Sequence, residues 1–303
     1  MFSKHNKHLA ILAIILANTI WGAGSPIFKW ALQDIQPFTL AFLRFSLAAL
    51  FLLPFAIHKL HIKRGDIPSI ILLAVFGFTI NISLFLVGIT LTKSINAPII
   101  GSAGPVFLVI GSILYLKEKP KRKVIFGTLI SLLGVVLITL QPILQHGTAS
   151  STLGNTLLIL STIATVAYTL LLKKFANKYP LTTLTFWTFA IGAATFLPGV
   201  LYESHGLLPL TGIHLQGLIG VAYGAVFSSL IAYLAYAYAL KWIDAEEIGT
   251  FLYLDPVVAI LIAYPLLGET VTSAYVLGAI LVFLGIFFSE KRLHWHPIYK
   301  LWK

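Results

Sequence analysis

The chain has 303 residues, 58% of them hydrophobic and 10% charged, with a formal net charge of +11. A soluble domain carries roughly 25% charged residues, so this composition excludes a water-covered globule and leaves an integral membrane protein. Cysteine is absent, which excludes disulfides and thiolate metal sites.

Ten apolar runs bounded by charges and Pro/Gly clusters predict an all-α protein of ten transmembrane helices. Each is continuous for about twenty residues, and none alternates like a barrel strand. The first, 9–31, follows the basic stretch FSKHNKH. It imitates a signal peptide, but no small-x-small site interrupts it, so it is read as a retained span. It holds Asn18, Trp21, the segment WGAGSPIFK and Lys29, which is expected to snorkel near Asp34. The second, 37–57, begins at Pro37 and carries Arg44 roughly 10 Å inside. The third, 68–91, holds Asn81, and the fourth, 95–116, holds Ser102 and Pro105. The fifth is 124–141. The sixth, 153–172, carries Tyr168, the seventh, 182–202, Trp187, and the eighth, 216–240, Tyr223 and Tyr236. The ninth, 247–267, contains YLDPVVAI, with Tyr253, Asp255 and Pro256 inside an apolar run, and the tenth is 272–289.

Charge gives the orientation. With the N-terminus inside, every Lys and Arg falls in a cytoplasmic segment except Lys93, outside, and Lys29 and Arg44, within spans. That asymmetry follows the positive-inside rule, so the basic balance does not call for nucleic acid. Both termini are expected in the cytoplasm, the expected location being the inner membrane of a bacterium. The tail 290–303 mixes Trp295, Tyr299 and Trp302 with basic residues and reads as an interfacial anchor.

The chain also repeats itself. GPVFLVIGSILYLKEKPKRKVIFGTLISLLG lies beside DPVVAILIAYPLLGETVTSAYVLGAILVFLG, pairing Pro105 with Pro256, Glu118 with Glu269, Gly127 with Gly278 and Gly134 with Gly285 at one constant spacing. Two five-helix halves follow, 1–142 and 153–289, and five is odd, so the second half enters the bilayer from the opposite side. Inverted repeats of this kind are a transporter design, with the site where the halves meet.

These residues carry a resemblance. The mid-helix Pro105 and Pro256, the ends Lys117-Glu118 and Gly268-Glu269, then Gly127, Leu133-Gly134, Gly278 and Leu284-Gly285 resemble the EamA-type branch of the drug/metabolite transporter superfamily. The similarity covers nearly the whole chain. It implies ten helices and a central cavity lined mainly by helices other than the fifth and tenth, and leaves the substrate open.

Asp255 is the one carboxylate well inside a predicted span, about 12 Å along it. A charge there costs at least a few kcal/mol, so it should face a cavity, be paired or be protonated. It either bonds backbone freed by the proline, or binds a substrate ammonium or a coupling proton. Arg44 either stays structural or meets a substrate carboxylate. Trp21, Asn81, Ser102, Tyr168, Trp187 and Tyr253 complete the expected substrate-binding set, each with an alternative as helix glue or interface anchor. Pro105 and Pro256 are expected hinges for gating. Every histidine falls outside or at the edge of a span, so no metal site or histidine proton relay is expected, and no cofactor.

The resulting expectation is a secondary active transporter, not an enzyme, exporting small metabolites such as amino acids or amphipathic compounds by alternating access, with proton coupling and homo-oligomer formation left open. The alternatives are a lipid or lipid-precursor flippase and, further off, an intramembrane enzyme, which needs converging acid, base or nucleophile groups.

Overall fold

The computed structural model describes residues 4–107, 109–110, 122–146, 149–175, 178–205, 212–240, 242 and 250–289. All regular structure among them is helical. Helix lies at every one of the ten predicted positions. We number the helices α1 (Lys4–Ala31), α2 (Pro37–Ala56), α3 (Ile67–Leu91), α4 (Asn96–Ser102, with helical residues following Ala103), α5 (Arg122–His146), α6 (Ala149–Phe175), α7 (Leu181–Glu203), α8 (Leu215–Leu240), α9 (Leu254–Leu267) and α10 (Ser273–Ser289). Seven are long and apolar enough to cross a membrane, while α9 and α10 are shorter apolar helices. The tail 290–303 and the Lys117-Glu118 pair lie outside the described residues.

Local sequence explains most boundaries. Pro37 stands at the first turn of α2, where its missing N–H costs nothing. Gly268 ends α9 in the left-handed conformation, φ 66°, which lacks a steric penalty only for glycine.

Three details differ from the sequence expectation. α3 and α8 are not uniform: Val75–Ile80 and Tyr223–Ile231 are π-helical. α4 breaks at Ala103, two residues before Pro105. Ahead of Pro256 the chain forms a 3-10 turn, Thr250–Tyr253, and the α-helix begins only at Leu254. Asp255 therefore occupies a first turn and not the middle of a helix. Each proline thus follows an interruption, because a proline ring clashes with the turn before it and removes one backbone bond.

The main packing pairs follow an exchange: adding or subtracting five to each helix number maps one pair onto another. α5 packs on α10, and α2 on α7. The α3–α6 pair matches α8–α1, and α4–α6 matches α9–α1. At the α5–α10 seam the Ser131 hydroxyl donates to Val282 O, 3.2 Å away and 151 positions on, its own partner in the repeat. Glycines permit this approach. A Cβ on Gly134 would stand 2.5 Å from Gly278 O, and one on Gly285 2.4 Å from Ser131 N. The largest core joins α2, α3 and α7 through Phe45, Phe78, Phe189 and Phe196, while residues such as Leu12, Phe126, Leu133 and Leu261 face outward, as lipid-facing positions must.

The end of the bundle that is poor in lysine is tied by carboxylates bonded to helix starts. Glu203 accepts from Phe38 N and Thr39 N at 2.8 Å, and from the Thr39 hydroxyl. Asp34 accepts from Gly217 N at 2.9 Å. Glu269 accepts from Ser94 N at 2.8 Å and Ile95 N at 3.2 Å. Each satisfies N–H groups that a helix cannot bond itself and sets negative charge at the positive end of its dipole.

Candidate functional site

Arg44 projects from α2 towards α1 and α8, and only 5% of it is exposed. Its Nε donates to the Ser229 hydroxyl and its Nη2 to the Ser228 hydroxyl, both at 3.0 Å. Phe28 of α1 and Phe45 of α2 present ring faces 4.8 and 4.7 Å from the guanidinium carbon. Room for the side chain comes from Gly224, where a Cβ would stand 2.7 Å from Arg44 Cδ. Ser228 and Ser229 both lie in the π-helical stretch of α8, whose widened turn lets two successive hydroxyls reach one guanidinium. Among the described residues no carboxylate lies within ion-pair distance of Arg44.

The same serine leads to α1. The Trp21 indole N–H donates to Ser228 O at 3.0 Å, and its ring meets Tyr233 and Tyr236, each at 5.5 Å. Tyr223 bonds Ile20 O through its hydroxyl, at 2.5 Å. One residue past Trp21, Gly22 abuts α9: a Cβ there would be 2.7 Å from Asp255 O and 2.8 Å from its Cα. Asp255 Oδ1 is buried and has no hydrogen-bond partner among the described residues. Its place in the first turn of α9 sets the carboxylate at the positive end of that helix. Arg44, Trp21 and Asp255 are thus linked through α1 and α8, though they do not touch directly.

The other sequence-selected residues lie around this centre. Asn81, at the end of the π stretch of α3, donates to Gly77 O at 3.0 Å and accepts from the Ser161 hydroxyl at 2.6 Å, joining α3 to α6. Tyr168 of α6 stacks edge-on against Phe78, centroids 5.7 Å apart, over Gly77. Tyr253 packs on Phe283 of α10, 5.1 Å between centroids. Ser102 bonds Pro98 O within its own helix at 2.8 Å. Trp187 stands apart, its indole donating to Leu60 O at 2.9 Å beside the α2–α3 connection. Lys29 has a partner that the sequence did not show. It pairs with Glu269 at 2.9 Å and donates to Thr92 O at 2.5 Å, because the α9–α10 turn brings a carboxylate to it. Asp34, its expected neighbour, bonds His214 at 2.6 Å.

Sequence reasoning missed Ser228, Ser229 and Tyr233. A signal was present. Gly77 and Asn81 in VFGFTINISL recur as Gly224 and Ser228 in VAYGAVFSSL, and both glycines lie in π-helical turns, which often mark functional positions.

Comparison with known proteins fits this architecture. The model of the EamA-like transporter family matches residues 8–140 and again 152–290. The chain belongs to the EamA-like transporter family. Among its relatives, an uncharacterized transporter of Archaeoglobus fulgidus is 29% identical over 284 residues, spanning 93% of this chain and 98% of that protein. The uncharacterized transporter YcxC of Bacillus subtilis is 27% identical over 299 residues, spanning 96% and 95%. A solved crystal structure superposes with a TM-score of 0.62 at 16% identity, covering 97% of this chain and 99% of that one. At that identity the likeness shows the fold alone. This EamA-like chain is accordingly a multi-pass membrane transporter.

Proposed function

We propose that this EamA-like chain is a secondary active transporter that exports small metabolites, such as amino acids or related amphipathic compounds, by alternating access. The observation that carries the reading is the exchange in the packing, in which the main helix pairs of α1–α5 and α6–α10 map onto one another. Two equivalent bundles of opposite sense can rock about a shared interface and open one site to either side in turn. The repeats are 1–142 and 153–289, with 290–303 an interfacial tail. Both termini face the cytoplasm of a bacterium, following the lysine bias.

The substrate site lies where α1, α2, α8 and α9 converge. Arg44, Trp21 and Asp255 contact the solute there, with Tyr168, Asn81, Tyr253 and Ser102 lining its flanks and Trp187 its approach from the lysine-rich end. Pro105 and Pro256 are the hinges, since each follows an interrupted helix. Asp255 couples transport to protons or binds an ammonium, its buried Oδ1 being free to accept either. Solute counterflow in proteoliposomes tests the reading. Saturable exchange of a labelled amino acid or amphipathic solute is expected. Its absence across such a panel, or release of a chemically altered product, would refute the carrier.

A further inference from the structure

Building on the transporter reading, we infer that the carried solute bears a carboxylate and that Arg44 receives it. A guanidinium has five N–H donors in one plane. The Nε edge is used by the two serine hydroxyls, and the two ring faces cover the plane. That leaves three N–H groups, two on Nη1 and one on Nη2, without an acceptor among the described residues. One N–H of Nη1 and the one of Nη2 lie along their common edge with the spacing that suits the two oxygens of a carboxylate.

Every element packed against the guanidinium offers neutral groups: Phe28 from α1, Phe45 from α2, and Gly224, Ser228 and Ser229 from α8. A buried cation with neutral neighbours is costly unless an anion completes it. One positive charge in an aromatic setting calls for a monoanion, which a carboxylate is and a phosphate dianion is not. Next to Ser229 lies a cavity of about one water's size, walled by Leu52, Thr185, Tyr233 and Leu234.

Thermal unfolding of the purified protein in detergent, followed by tryptophan fluorescence, reads the site directly. Benzoate and butyrate are titrated against benzamide, butyramide, benzylamine and matched sodium chloride. At least one carboxylate is expected to raise the midpoint saturably, with an apparent Kd about tenfold or more tighter than its amide. Arg44→Gln is expected to abolish that response and Arg44→Lys to weaken it, because an ammonium cannot offer the paired edge. Equal responses to acid and amide, no response to either acid, or reproduction by sodium chloride would overturn the assignment. The wild-type comparison decides alone if Arg44→Gln does not fold. The two readings fail separately. Carboxylate binding without counterflow of any solute removes the transporter and keeps the site. Counterflow of neutral or cationic solutes that carboxylates do not compete for removes the site and keeps the transporter.

Discussion

Asp255 and Arg44 bring two ionisable groups into connected parts of the bundle, and the fold treats them differently. Arg44 is held by hydroxyls and rings, whereas Asp255 keeps a buried oxygen without a partner among the described residues. An unsatisfied buried acceptor opposes stability, so a group of this kind is retained at a cost. Asp255→Asn is therefore expected to leave the unfolding midpoint unchanged or raise it by on the order of 1 kcal/mol of stability. Exchange in proteoliposomes is expected to fall about tenfold or more, reflecting a lost functional charge; unchanged proton-dependent flux would remove the coupling role. At the lysine-rich end, Lys178, 2.5 Å away, and then Tyr179 hold the Asp66 carboxyl below its usual 3.8. The same bond raises Lys178 above its usual 10.5. Asp66 thus contributes above pH 3.8, and its contribution fades as pH falls through the lowered folded value. Lys178 contributes below pH 10.5 and fades as pH rises through the raised one. The unfolding midpoint is expected to be flat with respect to this pair between those limits, and Asp66→Asn to lower it at pH 7 while blunting the acid limb.

At the scale of elements, close approach and widened turns do the positioning. The α5–α10 seam depends on glycines whose Cβ positions are already occupied by backbone. Gly285→Leu is expected to destabilise by about 1–3 kcal/mol through overpacking, read as a lowered midpoint in detergent. Gly101 on α4 has no atom within 4 Å of its Cβ position. Gly101→Ala should therefore be neutral or stabilise by about 0.5–1 kcal/mol. A gain at both sites would show that helix propensity, not packing, governs the effect. The π-helical stretches of α3 and α8 are the other device: Gly77 admits Tyr168 as Gly224 admits Arg44. One architecture thus serves a neutral ring in one half and a cation in the other.

Across the whole molecule, the lysine-poor end is closed by bonds that cross between the halves. Glu269, from the α9–α10 turn, binds Lys29 of α1 and both Ser94 and Ile95 ahead of α4. Lys93 reaches Thr270 O at 2.7 Å and the Tyr275 hydroxyl reaches Ile95 O at 3.1 Å. Lys29 of this pair is only partly buried, so losing its partner costs less than the about 3–5 kcal/mol of a fully buried pair, and Glu269→Gln should loosen this closure. The absence of native cysteine allows a direct readout. Ser25→Cys, at a position only 3% exposed, is expected to react slowly with a water-soluble maleimide. In the Glu269→Gln background labelling should be about tenfold faster or more, since local opening becomes easier as the bonds holding the closed end weaken. Equal rates would mean that these bonds hold the fold without gating it.

The sequence by itself determined that the chain is helical and membrane-embedded, where its apolar runs lie, and that two halves repeat. Those features are written in run length, composition and motif spacing, which need no partner to be read. Only the tertiary structure decided which residues meet. Lys29 pairs with Glu269 and not with Asp34, Ser228 and Ser229 hold Arg44, and Trp187 stands away from the centre. The reason is physical. Helices apolar on every side carry no polar stripe to say which face turns inward, and π-helical turns then rotate residues away from where a regular period would put them. Asp255 sits in a first turn and not at mid-helix for a related reason: the break ahead of Pro256 is a backbone event, invisible in hydropathy.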